Sequence, residues 1–89
     1  MVTREVTVLN QAGLHTRPAS MIVREAARYK SDFFIEKDGY EINGKSIIGV
    51  MTLAAEQGAL LKLTFEGEDE IAAADAIAEI FASGFGEKK

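Results

Sequence analysis

The first hydrophobic positions alternate. Val2, Val6 and Val8 fall on one side of residues 2–9, and Thr3, Glu5 and Thr7 on the other. That period of two predicts a half-buried strand. Residues 10–13 break the pattern, after which Ala19, Ile22, Val23 and Ala26 occupy the i, i+3, i+4 and i+7 positions of an amphipathic helix that should begin near His15 or Thr16. Phe33, Phe34 and Ile35 make a second strand, and Asp38-Gly39 predicts a type I′ hairpin because both positions tolerate positive φ. Tyr40 to Ile42 is the returning strand. Ser46 stands at the N-cap of a short apolar run, Ile47, Ile48, Val50 and Met51, which predicts a second helix ending near Gly58. Leu61, Leu63 and Phe65 alternate with Lys62 and Thr64 in a last strand over residues 60–66. Glu68, Asp69 and Glu70 then put negative charge where a helix N-terminus favours it, ahead of an apolar stripe of Ile71, Ala74, Ala78 and Phe81. Ser83-Gly84 should end this helix, with Phe85 folding back and residues 87–89 frayed.

The order strand, helix, strand, strand, helix, strand, helix, with alternating strands, predicts an α+β open-faced sandwich. Its sheet has one covered face and one wet face, with the helices on the covered side. Eighty-nine residues suffice for a single domain over residues 1–89, and at this size roughly two thirds of the unfolded surface is buried, so the core is modest. With 47% hydrophobic and 27% charged residues, neither disorder nor a fibrous repeat is indicated. The chain has no cysteine, which excludes disulfides and fits a reducing compartment, so a cytoplasmic location is expected. The N-terminal residues lack a signal-peptide core, and no stretch approaches the roughly 18 apolar residues of a membrane span.

Ten Lys and Arg against fourteen Asp and Glu give a net charge of −4, the wrong sign for a domain that lives on phosphate backbones, so nucleic acid is disfavoured as a partner. The basic residues are nonetheless grouped. Arg17, Arg24 and Arg28 are spaced seven and four apart, which aligns them along one helical stripe.

The one histidine, His15, falls at the predicted start of the first helix. A helix leaves its first N–H groups without intrahelical partners, and with the macrodipole they make a site for an anion. Pro18 costs little in the first turn, where its missing donor would have been an orphan. Arg17 adds a permanent cation suited to phosphate oxygens. An imidazole there is easier to keep neutral because the dipole disfavours its charged form, and the neutral ring is the nucleophile. The residues therefore suit accepting a phosphoryl group and stabilising it in place. Zinc is disfavoured with one histidine and no cysteine. No nucleophile elbow, Walker motif or dinucleotide fingerprint is present, and no cofactor is expected.

Gly13-Leu14-His15-Thr16-Arg17-Pro18-Ala19 resembles the active-site signature of the HPr family, the histidine-containing phosphocarriers of the bacterial phosphoenolpyruvate-dependent phosphotransferase system. Lys45-Ser46-Ile47-Ile48-Gly49-Val50-Met51 is similar to the regulatory serine segment of the same family. Spacing, length and element order agree across essentially the whole chain. The resemblance implies a four-stranded antiparallel sheet in the order 1-4-2-3 with three helices on one face. It also implies that His15 takes a phosphoryl group on Nδ1 from Enzyme I and passes it to EIIA components of sugar permeases, as a carrier without turnover of its own. Arg17, the Thr16 backbone N–H and the first-turn geometry of Pro18 would stabilise it.

By the same resemblance Ser46 is a regulatory phosphorylation site for a dedicated HPr kinase/phosphorylase. Leu14, Ile47, Ile48 and Met51, with Arg24 and Arg28 around them, would meet partner proteins, a transcriptional regulator among them. Ile47, Ile48 and Met51 cannot all face the sheet, so part of that surface should be exposed. No membrane partner is expected, and a monomer is the simplest state. The alternative is a regulatory paralogue acting mainly as a protein-binding module. The ending Ser83-Gly84-Phe85 is similar to nitrogen-branch members, whereas the Ser46 segment is similar to carbon-control ones.

Overall fold

Alternation along the strands sets the layering. In the computed structural model, which describes residues 1–89, the elements are β1 (Val2–Thr7), α1 (Thr16–Ala26), β2 (Asp32–Lys37), β3 (Tyr40–Asn43), α2 (Ile47–Thr52), β4 (Leu60–Glu66) and α3 (Glu70–Ala82), followed by a 3₁₀ turn at Gly84–Gly86. The four strands form one antiparallel sheet in the order β1-β4-β2-β3. Asp38 and Gly39 join β2 to β3 with φ of 52° and 83°, the positive pair that a type I′ turn requires.

Central β4 buries Leu61, Leu63 and Phe65 on one face, and its neighbour β2 buries Phe33 and Ile35 beside them. Phe33 lies opposite Phe65 in the β2–β4 register. Their rings stack with centroids 4.6 Å apart and planes 4° from parallel, filling the space between two adjacent strands on the covered face. Helix α3 packs on β1 and β4, α1 packs on α2 and α3, and α2 packs on β3. Ala19, Ile22 and Ala26 of α1, Val50 of α2, and Ala73, Ala74, Ile77 and Phe81 of α3 complete a single cluster of buried side chains. No helix is long and apolar enough to cross a membrane.

Four expectations from the sequence need correction. Regular β1 stops at Thr7, although Val8 is buried and still pairs through its backbone, donating to the Ala59 carbonyl at 2.9 Å and accepting from Gly58 N–H at 2.8 Å. The second helix ends at Thr52 rather than near Gly58, because Ala54 takes a left-handed φ of 49° and turns the chain towards β4. In α3, Ile71 is 62% exposed, and the buried stripe runs through Ala73, Ala74, Ile77 and Phe81. That helix is apolar on nearly every side, so its sequence pattern defines the buried face poorly.

The fourth correction concerns the C-terminal residues. Phe85 folds back as expected: it is fully buried and meets Phe81 edge-on at 5.0 Å. Residues 87–89 are not frayed, however. Gln11 N–H donates to the Lys88 carbonyl at 2.9 Å, and Glu87 is engaged by three side chains.

Asp69 also does more than supply charge to α3. Its carboxylate accepts from Lys30 N–H at 2.8 Å, from Ser31 N–H at 2.9 Å and from the Ser31 hydroxyl. The Ser31 hydroxyl foremost, with the two backbone donors, holds this carboxyl below its ordinary range.

Removing one ring of the stacked pair leaves a cavity that the flanking strands cannot close. Phe33→Ala should therefore destabilise the protein by about 3–5 kcal/mol, read as a lowered midpoint in urea unfolding with the denaturant slope unchanged.

Candidate functional site

The turn between β1 and α1 is built backbone-first. Asn10, fully buried, donates from Nδ2 to the Gly13 carbonyl at 2.8 Å, while Gly13 N–H donates back to the Asn10 carbonyl at 3.2 Å. Gly13 has a φ of +70°, and a β-carbon there would lie 2.5 Å from the Ala55 carbonyl oxygen. Only glycine meets both demands. Leu14 N–H donates to that same Ala55 oxygen at 2.9 Å. The Leu14 side chain is 5% exposed and belongs to the core, which corrects its expected place on a partner surface. It is the anchor beneath the turn, buried because its amide is bonded inward.

With Leu14 anchored, His15 emerges in extended conformation as the N-cap of α1, with φ −81° and ψ −168°. Its side chain makes no cap hydrogen bond, and helix geometry leaves the N–H groups of Thr16 and Arg17 without intrahelical partners. Pro18, buried in the first turn, has no N–H to satisfy. The His15 side chain is 43% exposed. An open depression of about 700 Å³ beside it is lined by His15, Thr16, Arg17, Ser20, Met21 and Arg24. Arg24 also borders a second depression with Glu25, Arg28, Met21 and Ile80. Arg17 and Arg24 thus flank the ring's own depression. Arg28 lies beyond the end of α1 and pairs with Glu25 at 3.2 Å.

A carboxylate from the far end of the chain completes the site. Glu87 Oε1 and Oε2 lie 3.0 and 2.9 Å from His15 Nε2. Oε1 also accepts from Asn10 Nδ2 at 3.0 Å, and Oε2 from Arg17 Nη1 at 2.9 Å. Arg17 Nη1 donates to the Phe85 carbonyl at 3.1 Å as well. The hydrogen bond from His15 is the leading cause that lowers the Glu87 carboxyl from 4.5 to about 2, with Arg17 and Asn10 adding to it against partial desolvation. Sequence reasoning found neither Glu87 nor Asn10. Glu87 lies in a segment whose composition reads as a frayed end, and Asn10 reads as an ordinary turn residue.

The second expected segment adjoins the first through the packing of α2 on α1. Ser46 caps α2, its Oγ accepting from Gly49 N–H at 3.0 Å. Ile48 is 76% exposed, and Ile47 and Met51 are exposed in part, while Val50 alone of this helix is buried in the core. No cluster of three or more His, Cys, Asp or Glu side chains is arranged to hold a metal ion.

Comparison with known proteins places this geometry. Residues 2–83 match the family model described as the PTS HPr component phosphorylation site. The chain is 47% identical over 88 residues to the phosphocarrier protein HPr of Treponema pallidum, covering 99% of this chain and all of that protein. Its fold superimposes on the crystal structure of an HPr from Thermoanaerobacter tengcongensis with a TM-score of 0.96, at 39% identity and full coverage of both chains. It is also similar to the Bacillus subtilis catabolite-repression protein Crh, crystallised as a domain-swapped dimer, with a TM-score of 0.73 and 43% identity over 100% of this chain and 99% of that one. A phosphocarrier class is thereby defined. The chain belongs to the HPr family of the phosphotransferase system.

The lowered Glu87 value has an acid consequence. A carboxyl that is more acidic folded than unfolded contributes stability that is fully present above its unfolded value of 4.5 and is lost as pH falls towards about 2. Carboxyl NMR should therefore show Glu87 titrating near the bottom of this window, and Glu87→Gln should flatten the stability profile between the two values.

Proposed function

We propose that His15 carries a phosphoryl group between Enzyme I and EIIA components of sugar permeases, as a single cytoplasmic unit over residues 1–89 with no turnover of its own. The observation that carries this reading is a half-exposed imidazole at the N-cap of α1, making no cap bond, beside Arg17 and an open depression. In the uptake step the Nδ1 lone pair bonds phosphorus, while the bond from phosphorus to the donor breaks and its electron pair stays with the donor. The phosphoryl oxygens then meet the Thr16 and Arg17 N–H groups and the Arg17 guanidinium. Transfer to the acceptor reverses the sequence. Asn10, His15, Arg17 and Glu87 complete the site within one chain, so its chemistry requires no second copy. Incubation with Enzyme I and phosphoenolpyruvate should add one acid-labile phosphoryl group, absent in His15→Ala and taken up roughly tenfold more slowly in Arg17→Ala because a charge-assisted contact is lost. Unchanged uptake by His15→Ala would overturn the assignment.

The exposed Ile47, Ile48 and Met51 of α2, which packs on α1, would offer partners an apolar area, and Arg17 and Arg24 around the histidine's depression a basic one, a combination suited to acidic protein partners. Phosphorylation of Ser46 by a dedicated kinase would add about two negative charges at this surface while leaving oxygens able to accept from Gly49 N–H. Control then acts through repulsion and not through unfolding. Ser46→Asp should slow phosphoryl uptake by His15 with thermal stability nearly unchanged, since aspartate also caps helices; a large drop in melting temperature would refute this mechanism.

The likeness to Crh favours a second reading, a regulatory module that uses the same surface to bind a transcriptional regulator. Stable binding through Ile47, Ile48 and Met51 with negligible phosphoryl uptake by His15 would establish it over the carrier.

A further inference from the structure

We propose that Glu87 is a positioning residue for phosphoryl transfer: it fixes the His15 ring through Nε2 and balances the positive charge the ring acquires when Nδ1 bonds phosphorus. The inference rests on the carrier reading of His15 and adds a residue to it.

The geometry determines the proton's place. Both oxygens of the Glu87 carboxylate lie within 3.0 Å of Nε2, and an ionised carboxylate only accepts, so Nε2 is the nitrogen that carries hydrogen. In the neutral ring that leaves the lone pair on Nδ1, which makes no hydrogen bond within the protein and is free to attack. As the bond to phosphorus forms, the ring becomes cationic while retaining its Nε2 proton. The carboxylate already in contact stabilises that charge without moving, as a buried aspartate does for the histidine of a hydrolase triad.

Glu87 is itself held. Asn10, fully buried, donates to Oε1, so one donor that fixes the carboxylate cannot swing into solvent. The segment before it is anchored by Phe85 against Phe81. Gly84, Phe85 and Gly86 all take left-handed φ, at 64°, 59° and 69°. For Phe85 that conformation carries a cost, repaid by burial of the ring, and it directs the chain back over the start of α1.

Arg17 links the two halves of the step. At rest its Nη1 donates to Glu87 Oε2, so guanidinium and imidazole share one carboxylate. When phosphoryl oxygens arrive, the guanidinium turns to them and releases Glu87 to the ring at the moment the ring becomes positive. One carboxylate thus serves the cation that needs it at each stage, with no charge left unpaired.

The test uses the full chain with ¹⁵N-labelled histidine, in wild type and in Glu87→Gln, Glu87→Ala and Glu87→Asp. Imidazole ¹⁵N spectra of the wild type should place the neutral-ring proton on Nε2, and Glu87→Gln and Glu87→Ala should give a mixture of tautomers. Phosphoryl uptake from Enzyme I and phosphoenolpyruvate should slow about tenfold in Glu87→Gln, the loss expected when one charge-assisted contact becomes neutral. Glu87→Asp, which keeps the charge, should recover most of the rate. Uptake by Glu87→Gln at or above the wild-type rate would overturn the inference while leaving the carrier reading intact. So would equal slowing in all three variants with ring spectra like the wild type, which would mark Glu87 as merely structural. A wild-type chain that takes up no phosphoryl group would overturn the carrier reading and this inference with it.

Discussion

The carbonyl of Ala55 receives the Leu14 amide at 2.9 Å while Gly13 passes so close that no side chain fits between them. This approach fixes where the chain leaves β1 and begins α1, because it pins Leu14 inward and forces the next residue outward. It also joins the segment after α2 to the segment before α1. The His15 ring and the exposed apolar face of the short helix are therefore held near one another by backbone, whatever their own side chains do. The anchoring lies beneath the surface, in a buried glycine and two main-chain groups, and the histidine above it is left exposed.

The electrostatics are local rather than global. The chain carries a net charge of −4, yet Arg17 and Arg24 border the histidine's depression and Arg28 its neighbour. Excess acid sits elsewhere, as in the Glu66 and Glu70 carboxylates that meet the N-terminal ammonium at 3.4 and 3.2 Å. Glu87 and Glu25 are negative groups inside the basic region: three donors hold Glu87, and Glu25 pairs with Arg28 at 3.2 Å. A field of one sign around a cleft attracts partners of the other sign even when the whole molecule is like-charged.

Much of the fold was legible in the residues because the strands alternate cleanly. The span of β4, the Asp38-Gly39 hairpin, the Ser46 cap and the start of α1 all follow from local chemistry. Strand order did not follow from pattern and came with the family resemblance. The face of α3 was misread because alanine and isoleucine surround that helix, so that Ile71 and Ile77 look alike in sequence and differ only in what lies opposite them. Within the site, His15 and Arg17 announce themselves by type and spacing. Glu87 and Asn10 act across more than seventy positions of chain, and Leu14 was misplaced because a leucine beside a candidate site residue reads equally well as anchor or as docking contact. Long-range polar contacts leave no periodic trace, which is why they had to be seen rather than inferred.

The sheet order carries a consequence for how the protein comes into being. The strand made first, β1, finds its partner only in β4, near the opposite end of the chain, so during synthesis it waits without a ladder until residues 60–66 have left the ribosome. The β2–β3 hairpin closes locally and early, whereas the pairing that completes the sheet is high in contact order and comes late. Nascent chains thus expose a valine-bearing strand edge while the residues between β1 and β4 are made, and the histidine's carboxylate partner follows later still.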